Sequence, residues 1–488
     1  MSSAAVIQRD QLLAQLREPR LWDVLVIGGG ATGLGIALEA AHRGFRTALV
    51  EARDFASGTS SRSTKLIHGG VRYLAQGNLR LVREALLERA RLLANAPRLV
   101  RPLQFVVPCY RPFERELMRV GLGAYDALAG KHGIGDTHWL SHADTIGALP
   151  GVKSRGLYGG VCYWDAQFDD ARLAIALMRT AVRLGAVAIN YVKVDQIRKK
   201  NGTIDSIVAA DSLSGEQFEL RAKVVFSATG VWTDDVRRMA DETAQPLVTT
   251  SRGSHVVVPR SFLPGASGMM IPRTSDGRVL FAIPWHARLI IGTTDIATER
   301  ATWEPSASDQ EVEFILDNAR YYLEAPLSTH DVSATFAGLR PLFSPYAAGS
   351  SSATKTISRE HAIAIEHQNL ITVVGGKWTT YRRMALDALD QAACAGLLDA
   401  RPCTTGELRL DVDDAIEDAV EAAEAAALSS GVNSSGNAIE AFVGLAARHE
   451  QALSADDVIS RRLRVESLDR AAATQLRPVV ERALARSR

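Results

Sequence analysis

The amino-acid sequence predicts an α/β fold, since three kinds of pattern follow one another along the chain. A short apolar run at 24–27 leads into a glycine-rich turn and an Ala- and Leu-rich helix, the pattern of a parallel βαβ unit. Residues 246–344 hold successive β segments separated by turn residues, as in an antiparallel sheet. Beyond about residue 396 the chain becomes rich in Ala, Glu, Asp and Arg with helical periodicity. We therefore expect a Rossmann-type domain, an interleaved antiparallel-sheet domain and a small helical C-terminal domain.

The glycine-rich turn has the spacing of a dinucleotide-binding motif. In G-x-G-x-x-G, Gly28 makes the tight turn, Gly30 lets a pyrophosphate approach the backbone, and Gly33 lets the helix pack close to the strand. The helix predicted for 31–42 points its N-terminal amides at the phosphates. Glu51 ends the second strand, where its carboxylate can accept hydrogen bonds from the adenosine ribose and repel a 2′-phosphate. The sequence thus predicts a dinucleotide site and disfavours NADP.

A Ser/Thr-rich loop that ordinary NAD domains lack begins at Gly58 and ends in His68, Gly69 and Gly70. Small hydroxyl groups in a tight loop suit hydrogen bonds to a pyrophosphate and a flavin. Together with the Ala228-Thr229-Gly230 strand end and the later Gly375-Gly376 turn, the loop indicates FAD. The residues predicted to bind it are Gly28, Gly30, Gly33, Glu51, Ser61, Ser63, Thr64, Lys65, His68, Gly69, Gly230, Gly375, Gly376 and Lys377.

The patterns also predict domain boundaries. We assign residues 20–85, 155–245 and 345–395 to a discontinuous FAD-binding domain, 86–154 and 246–344 to a substrate domain, and 396–488 to the helical C-terminal domain. A helix is expected at 169–185 with Asp169 or Asp170 as its cap, and a two-residue hairpin at Asn201-Gly202.

Composition and charge narrow the class of protein. With 47% hydrophobic and 23% charged residues the chain is of ordinary globular composition, and a net charge of +1 gives no support to a nucleic-acid partner. The four cysteines form no C-x-x-C pair and no metal-ligand spacing, so we expect reduced thiols and no metal. No segment has the ~18–20 uninterrupted apolar residues of a membrane span. We expect a cytoplasmic protein whose membrane contact, if there is one, is peripheral on the inner face of the cytoplasmic membrane.

An arginine-rich segment at 79–119 has two interpretations. It holds nine Arg against four Glu, with apolar residues interleaved and prolines breaking it up, and we predict it to be helical. One interpretation is a surface that meets anionic lipid. The other, which the sequence favours, is a solvated helix face with internal ion pairs.

These pieces together resemble the FAD-dependent glycerol-3-phosphate dehydrogenases of the wider glycine/D-amino-acid oxidase fold group. The resemblance covers residues 23–388 and, more weakly, 449–473. Its motifs are SSRSTKLIHGGVRYL, WDAQFDDARL, GSHVVVPR, IPWHARLIIGTTD, GLRPL, TISREH and VVGGKWTTYR. It implies oxidation of sn-glycerol 3-phosphate to dihydroxyacetone phosphate by hydride transfer to N5 of a non-covalent FAD, with electrons passed on to a quinone. The C-terminal domain is short and acidic beside the family pattern.

Such a reaction needs a base for the substrate hydroxyl. His255 is the first choice, because imidazole titrates near neutrality. His68 is the competitor, since the glycines beside it would let an isoalloxazine ring approach closely. For either residue the alternative is a structural histidine that bonds the backbone or the flavin.

The substrate phosphate needs cations. We predict Arg340, Arg359 and Lys377 for this role, with Arg340 also counted among the catalytic residues. Arg72 is a fourth candidate, and the adjacent Tyr73 is also predicted to bind the substrate. Thr294 and Asp295 either border the substrate pocket or form a plain turn.

Other functions stay open at this point. Oxygen and quinone share the same reductive half-reaction, so a glycerol-3-phosphate oxidase is an alternative. An amine or amino-acid oxidase of the same fold is another, although three cations near the flavin favour a dianionic phosphate. A flavoprotein without turnover is the third. A homodimer is compatible with the sequence but is not specified by it.

Overall fold

The structure is a computed structural model that describes residues 6–70, 77–111, 114–344, 360–429 and 436–487. Two β-sheets lie next to each other, and helices cover them. The predicted fold class, an α/β protein with a Rossmann-type domain, an interleaved antiparallel sheet and a helical C-terminal domain, is confirmed.

The first sheet is built around the predicted βαβ unit. Numbered in chain order, its strands are β1 (Leu21–Ile27), β2 (Thr47–Val50), β7 (Val187–Ile189), β8 (Val192–Lys200), β9 (Thr203–Asp211), β10 (Gln217–Ser227), β17 (His361–Glu366) and β18 (Leu370–Gly375). Their order is β17-β18-β10-β1-β2-β7, with β8 and β9 continuing from β10. β1 pairs in parallel with both β10 and β2 and is buried almost throughout. Such a strand has helices on both faces, which explains its continuous apolar run.

Three helices pack on the first sheet: Ala31–His42, Asp170–Arg183 and Tyr381–Cys394. The first has the predicted bounds. The second begins where predicted, because the Asp169 carboxylate accepts a hydrogen bond from the backbone N–H of Arg172 at 3.0 Å and so caps the helix.

The second sheet is mostly antiparallel. Its strands are β3 (Leu66–Ile67), β4 (Val100–Cys109), β5 (His138–Leu140), β6 (Gly159–Phe168), β11 (Val248–Pro259), β12 (Gly268–Ile271), β13 (Leu280–Trp285), β14 (Arg288–Gly292), β15 (Ile296–Thr298) and β16 (Ala334–Phe343). β11 is its longest strand and pairs with β14, β15 and β16. The helix Asp309–Arg320 packs on one face of the sheet and Glu114–Ala129 on the other.

Two features of the second sheet differ from the sequence-based expectation. β3 and β6 pair with each other and with this sheet, although both fall in segments predicted for the FAD-binding domain. The predicted helix at 79–119 is wrong in its middle, because only Leu79–Asn95 and Glu114–Ala129 are helical, and β4 lies between them. β4 forms ten residue pairs with β6. This long-range strand pairing overrides the local preference of the segment for a helix.

The remaining helices complete the domains. They are Arg9–Arg17, His142–Ala148 and Thr233–Ala240, and, in the C-terminal domain, Asp414–Leu428, Gly436–Glu450, the π-helical segment Asp457–Arg462, Val465–Leu468 and Arg470–Ser487. The C-terminal helices share their own apolar core. Leu398 and Leu410 instead pack in the core of the first sheet, so the helical unit begins later than residue 396. Among the described residues, no helix combines the length and the apolar character that crossing a membrane requires.

The hairpin between β8 and β9 has the predicted two-residue turn. Lys200 pairs with Thr203, and Asn201 and Gly202 have φ of 54° and 82°. Both residues lie in the left-handed region, as a type I′ turn requires.

We expect Gly202→Ala to lower the thermal unfolding midpoint, because alanine at this φ costs roughly 1–2 kcal/mol. Gly147→Ala is the matched control: Gly147 is exposed inside the helix His142–Ala148 with open space around it, so alanine should be neutral or stabilising by up to about 1 kcal/mol. Differential scanning fluorimetry measures both. Equal midpoints for the two variants would contradict the turn assignment.

Candidate active site

A cavity of ≈ 1130 Å³ lies between the two sheets. Many of the predicted site residues line it: Gly28, Gly30, Glu51, Ser63, Thr64, His68, Gly230, His255, Thr294, Asp295, Arg340, Gly375, Gly376 and Lys377. Gly33, Ser61, Lys65 and Gly69 lie outside this lining. Arg72, Tyr73 and Arg359 lie outside the described residues, so their predicted roles stay predictions.

The glycine turn forms one end of the cavity. Gly28 has φ of +107°, and a Cβ there would lie 2.6 Å from the carbonyl oxygen of Ala228. A Cβ on Gly33 would overlap the carbonyl of Gly28. The backbones of β1, β10 and the following helix therefore meet without side chains between them. This is the close packing that the motif predicts, and it leaves the helix N-terminus facing the cavity.

Glu51 is oriented by the same turn. Its carboxylate accepts hydrogen bonds from the backbone N–H groups of Gly29 at 2.5 Å and Arg53 at 2.9 Å. Burial raises the pKa of Glu51, and these two donors oppose that effect. A diol that donates hydrogen bonds would favour the carboxylate further, as the predicted ribose contact requires.

The Ser/Thr-rich loop is anchored by Asp170. The Asp170 carboxylate accepts from the backbone N–H and Oγ of Ser63 at 3.0 and 2.7 Å, and from Lys65 Nζ at 2.6 Å. Lys65 Nζ also donates to the carbonyl of Ser61 at 2.7 Å. The ammonium of Lys65 is fully buried and directed at Asp170, so it holds the loop in place, in contrast to the predicted contact with FAD. The sequence signalled Asp170 only as a helix cap.

His255 lies on β11 and is 2% exposed. Its Nε2 is 2.9 Å from Oγ1 of Thr64, and its ring stacks on Phe336 with 4.5 Å between centroids. Its Nδ1 has no hydrogen-bond partner among the described residues. Burial, and then the charges of Arg340 and Lys65, hold the pKa of His255 well below its usual value near 6.5. The imidazole is therefore neutral at neutral pH, the form that can accept a proton.

Arg340 lies on β16, next to His255. Its Nη1 donates to the carbonyl of Thr294 and its Nη2 to Oγ1 of Thr293, both at 3.2 Å, and Asp295 lies 3.7 Å from Nη1. A Cβ at Gly253 would overlap the guanidinium, so glycine at that position lets Arg340 lie across β11. The cation is thereby held at the cavity surface beside the buried imidazole.

His68 and Lys377 occupy other parts of the wall. The backbone N–H of His68 donates to Oγ1 of Thr379 at 3.3 Å, and that of Gly69 donates to the hydroxyl of Tyr125 at 2.7 Å. Lys377 follows Gly375 and Gly376, which both have φ of +77°, and precedes the helix Tyr381–Cys394. His68 is thus half-buried, and its backbone N–H anchors it to Thr379. Lys377 lies just before the start of a helix.

Two tryptophans that the sequence did not single out also line the cavity. The rings of Trp232 and Trp303 stack with 3.6 Å between centroids, and the guanidinium of Arg53 lies 4.3 Å from the centroid of Trp303. Arg62 donates to the carbonyl of Trp303 at 2.7 Å. The two tryptophans are some 70 residues apart in the sequence. No local motif predicts a contact between them, so the sequence alone could not identify it.

The fold and this site define a flavin-dependent oxidoreductase. Residues 23–382 match the family described as DAO, FAD dependent oxidoreductase, and the chain belongs to that family. The family implies FAD, and the residues fit it: a side-chain-free backbone cradle, a helix N-terminus and the carboxylate of Glu51 open into one large cavity.

Similar proteins agree with this assignment. The chain is 42% identical over 412 residues to the mitochondrial glycerol-3-phosphate dehydrogenase of Bos taurus, and 40% identical over 420 residues to a probable one of Caenorhabditis elegans. These matches cover 81% and 84% of this chain but 56% and 58% of the relatives, so the chain spans less than two thirds of their length. The glycerol-3-phosphate dehydrogenase from Bacillus halodurans, complexed with FAD, superposes with a TM-score of 0.76 at 29% identity, covering 98% of this chain and 92% of that one.

More distant structures share the fold. L-alpha-glycerophosphate oxidase from Mycoplasma pneumoniae has a TM-score of 0.60 at 18% identity, covering 80% of this chain and 98% of its own. Glycine oxidase from Geobacillus kaustophilus has a TM-score of 0.57 at 21% identity, covering 80% and 99%. At these identities the likeness concerns the fold alone.

The lowered pKa of His255 predicts a pH dependence of stability. The unfolded chain binds this proton more readily than the folded chain, so the stabilisation is complete above pH ~6.5 and is lost as pH falls below it. Between pH 6.5 and 5.5 the loss from this residue is about 1 kcal/mol, and below that the slope approaches about 1.4 kcal/mol per pH unit. The unfolding midpoint should therefore fall more in the wild type than in His255→Gln. His330→Gln, at an exposed histidine, should follow the wild type, and parallel curves for all three proteins would contradict the assignment.

Proposed function

We propose that this protein oxidises sn-glycerol 3-phosphate to dihydroxyacetone phosphate with FAD. The observation that carries the proposal is the placement of a buried neutral imidazole beside a fixed guanidinium, on the cavity that also holds the dinucleotide turn. The 40–42% identity to glycerol-3-phosphate dehydrogenases over four fifths of the chain supports the same substrate.

His255 is the proposed base. A neutral imidazole has one donor and one acceptor nitrogen. With Nε2 bonded to Thr64 and Nδ1 buried without a described partner, the ring carries an unsatisfied group whose burial costs about 1–3 kcal/mol. His255 lines the cavity, so a substrate hydroxyl bound there would pass its proton to this ring. The hydroxyl of Thr64, 2.9 Å from Nε2, holds the orientation of the ring.

Arg340 is the proposed phosphate ligand, with Lys377 as a second cation. A guanidinium has five N–H donors in a planar fork that matches phosphate geometry, and the contacts to Thr293 and Thr294 set the plane of that fork. Arg340 also lowers the pKa of His255. A bound phosphate dianion would offset this charge and raise the pKa of the base, so substrate binding itself would make His255 a better proton acceptor.

The glycine turn at Gly28–Gly33 and the Glu51 carboxylate would hold FAD, which would supply the redox chemistry as acceptor of the carbinol hydride. The chain's own residues hold the alcohol, take its hydroxyl proton and neutralise its phosphate. Burial of His255 and the closed packing around it keep water from competing for that proton.

A reduction experiment tests the substrate. The purified flavoprotein is kept anaerobic while its flavin absorbance is recorded during addition of glycerol 3-phosphate and, separately, of an amino-acid mixture. Bleaching by glycerol 3-phosphate alone is the expected result. Bleaching by amino acids alone would favour an amino-acid oxidase, and bleaching by neither would favour a flavoprotein without turnover.

Substitution of the base should slow flavin reduction. His255→Gln is expected to reduce the rate by about 10²–10⁴-fold, because general-base catalysis contributes this much. Thr64→Val, which keeps the side-chain shape but removes the partner of Nε2, should cost about tenfold. Stopped-flow absorbance measures the rates. If both His255→Gln and His68→Gln stay within tenfold of the wild type, neither histidine is the base.

We propose further that electrons pass to a quinone and that the protein works at the inner face of the cytoplasmic membrane. The helices Leu79–Asn95 and Glu114–Ala129 pack together and expose Arg80, Arg83 and Arg119 beside Leu79 and Val120, which are 52% and 73% exposed. Exposed cations next to exposed apolar side chains suit anionic lipid.

Flotation on liposomes tests the membrane proposal. The wild type should float with phosphatidylglycerol vesicles and less so with phosphatidylcholine. Arg80→Gln/Arg83→Gln should weaken binding roughly 30-fold, since each cation contributes about 1 kcal/mol. The control Arg198→Gln/Lys200→Gln removes the same charge from the exposed β8–β9 hairpin and should bind like the wild type. Equal flotation of both double variants would contradict this surface.

A further inference from the structure

A buried charge cluster joins the C-terminal domain to the loop that follows Glu51. At its centre Asp54 is 1% exposed and accepts four hydrogen bonds. Arg461 Nε and Arg462 Nη1 donate to its Oδ2, both at 2.5 Å, while Arg462 Nη2 and Asn190 Nδ2 donate to its Oδ1 at 2.9 and 3.1 Å. Although burial alone would raise the pKa of Asp54, Arg462 and Arg461 bring it below the usual value. We call these four residues the Asp54 cluster.

The two arginines are themselves fixed within the C-terminal domain. Arg461 Nη2 pairs with Asp457 at 2.7 Å, and Arg462 Nη2 donates to the carbonyl of Glu450 at 2.8 Å. Both lie in the π-helical segment Asp457–Arg462. Asp457 also accepts from the hydroxyl of Tyr191 at 2.7 Å. These contacts orient the guanidinium groups of Arg461 and Arg462 toward Asp54.

On the other side, the loop carrying Asp54 is tied to the cofactor end of the cavity. The backbone N–H of Arg53 donates to Glu51, and that of Ala56 donates to the carbonyl of Gly29, each at 2.9 Å. Glu51, Ala52 and Ala56 line the cavity, whereas Asp54 does not. Asp54 thus lies between Glu51, whose carboxylate also accepts from the backbone N–H of Gly29, and Ala56, which donates to the carbonyl of Gly29.

We propose that Arg461 and Arg462 of the C-terminal domain are positioning residues for FAD. They act through Asp54, which holds the loop at 51–56 together with the backbone hydrogen bonds of Glu51 to Ile189 and Val192. The position of this loop sets the Glu51 carboxylate on the adenosine side of the site. The C-terminal domain thereby sets the affinity for FAD without touching it. This inference rests on FAD binding and is independent of the identity of the substrate.

A second charge cluster at the same domain boundary provides a matched control. Arg172, also 2% exposed, pairs with Glu417 at 2.5 Å and Glu450 at 2.7 Å, both on C-terminal helices. Its described contacts stop short of the loop at 51–56, although its partner Glu450 also lies 3.6 Å from Nε of Arg462, a member of the Asp54 cluster. Losing Arg172 leaves buried carboxylates without their partner, as losing Arg462 does, and should destabilise the domain boundary to a similar extent.

The experiment measures FAD affinity on apoprotein. FAD is removed from the full chain by dialysis against bromide, and quenching of flavin fluorescence on re-addition gives Kd for the wild type, Arg462→Met and Arg172→Met. We expect Arg462→Met to weaken FAD binding about tenfold or more. Arg172→Met should keep Kd within threefold while lowering the unfolding midpoint of the apoprotein comparably. ADP, which carries only the adenosine side, should lose affinity in parallel with FAD.

Two results would overturn the proposal. One is an equal change of Kd in Arg462→Met and Arg172→Met, which would mean that domain stability alone matters. The other is an unchanged Kd in Arg462→Met. If Arg462→Met does not fold as apoprotein, Arg462→Lys replaces it. Lysine keeps the charge but cannot form the bidentate contact, so a Kd above that of the wild type is expected and an unchanged Kd contradicts the proposal. Failure to oxidise glycerol 3-phosphate would leave these binding results unaffected.

Discussion

The buried ion pair between Lys65 and Asp170 connects the two halves of the site. Asp170 starts a helix on the first sheet, and Lys65 leads directly into β3 of the second sheet. Between them the carboxylate also fixes Ser63, so Thr64 is presented to His255. A buried pair of this kind is weak evidence for stability, because desolvation offsets much of the attraction, but removing one partner leaves an uncompensated charge. The pair fixes where the loop meets His255, the proposed base.

The electrostatics of the cavity follow from this arrangement. His255 is kept neutral by burial and by two cations, one of which, Lys65, is already neutralised by Asp170. The other, Arg340, lies at the cavity surface with Asp295 at 3.7 Å. An anionic substrate would change the balance at Arg340 far more than at Lys65. The same cation that suppresses the base in the free protein would thus couple phosphate binding to proton transfer.

Charge also joins the C-terminal domain to the rest of the molecule. Its helices have their own apolar core, yet the boundary is built from buried arginine–carboxylate contacts at Asp54, at Arg172 and at Arg464. Such contacts are directional, and they are satisfied only when both domains are in register. The ion pairs at this boundary therefore define the position of the cofactor loop. An apolar contact of the same area is not directional and would define that position less narrowly.

The sequence by itself determined the features whose causes are local. The turn from Gly28 to Gly33, the helix that follows it, the Asn201-Gly202 hairpin and the acidic end of β2 at Glu51 are all readable, because spacing and backbone conformation dictate them. Only the tertiary structure decided that 100–109 pairs as a strand, that Lys65 is held by Asp170 and not directed at the cavity, and that Arg462 holds Asp54. The partners in these contacts lie between about 60 and 400 residues apart, and the sequence contains the charges but not their pairing. Long-range pairing depends on how the two sheets and the C-terminal helices pack, and no local pattern encodes it.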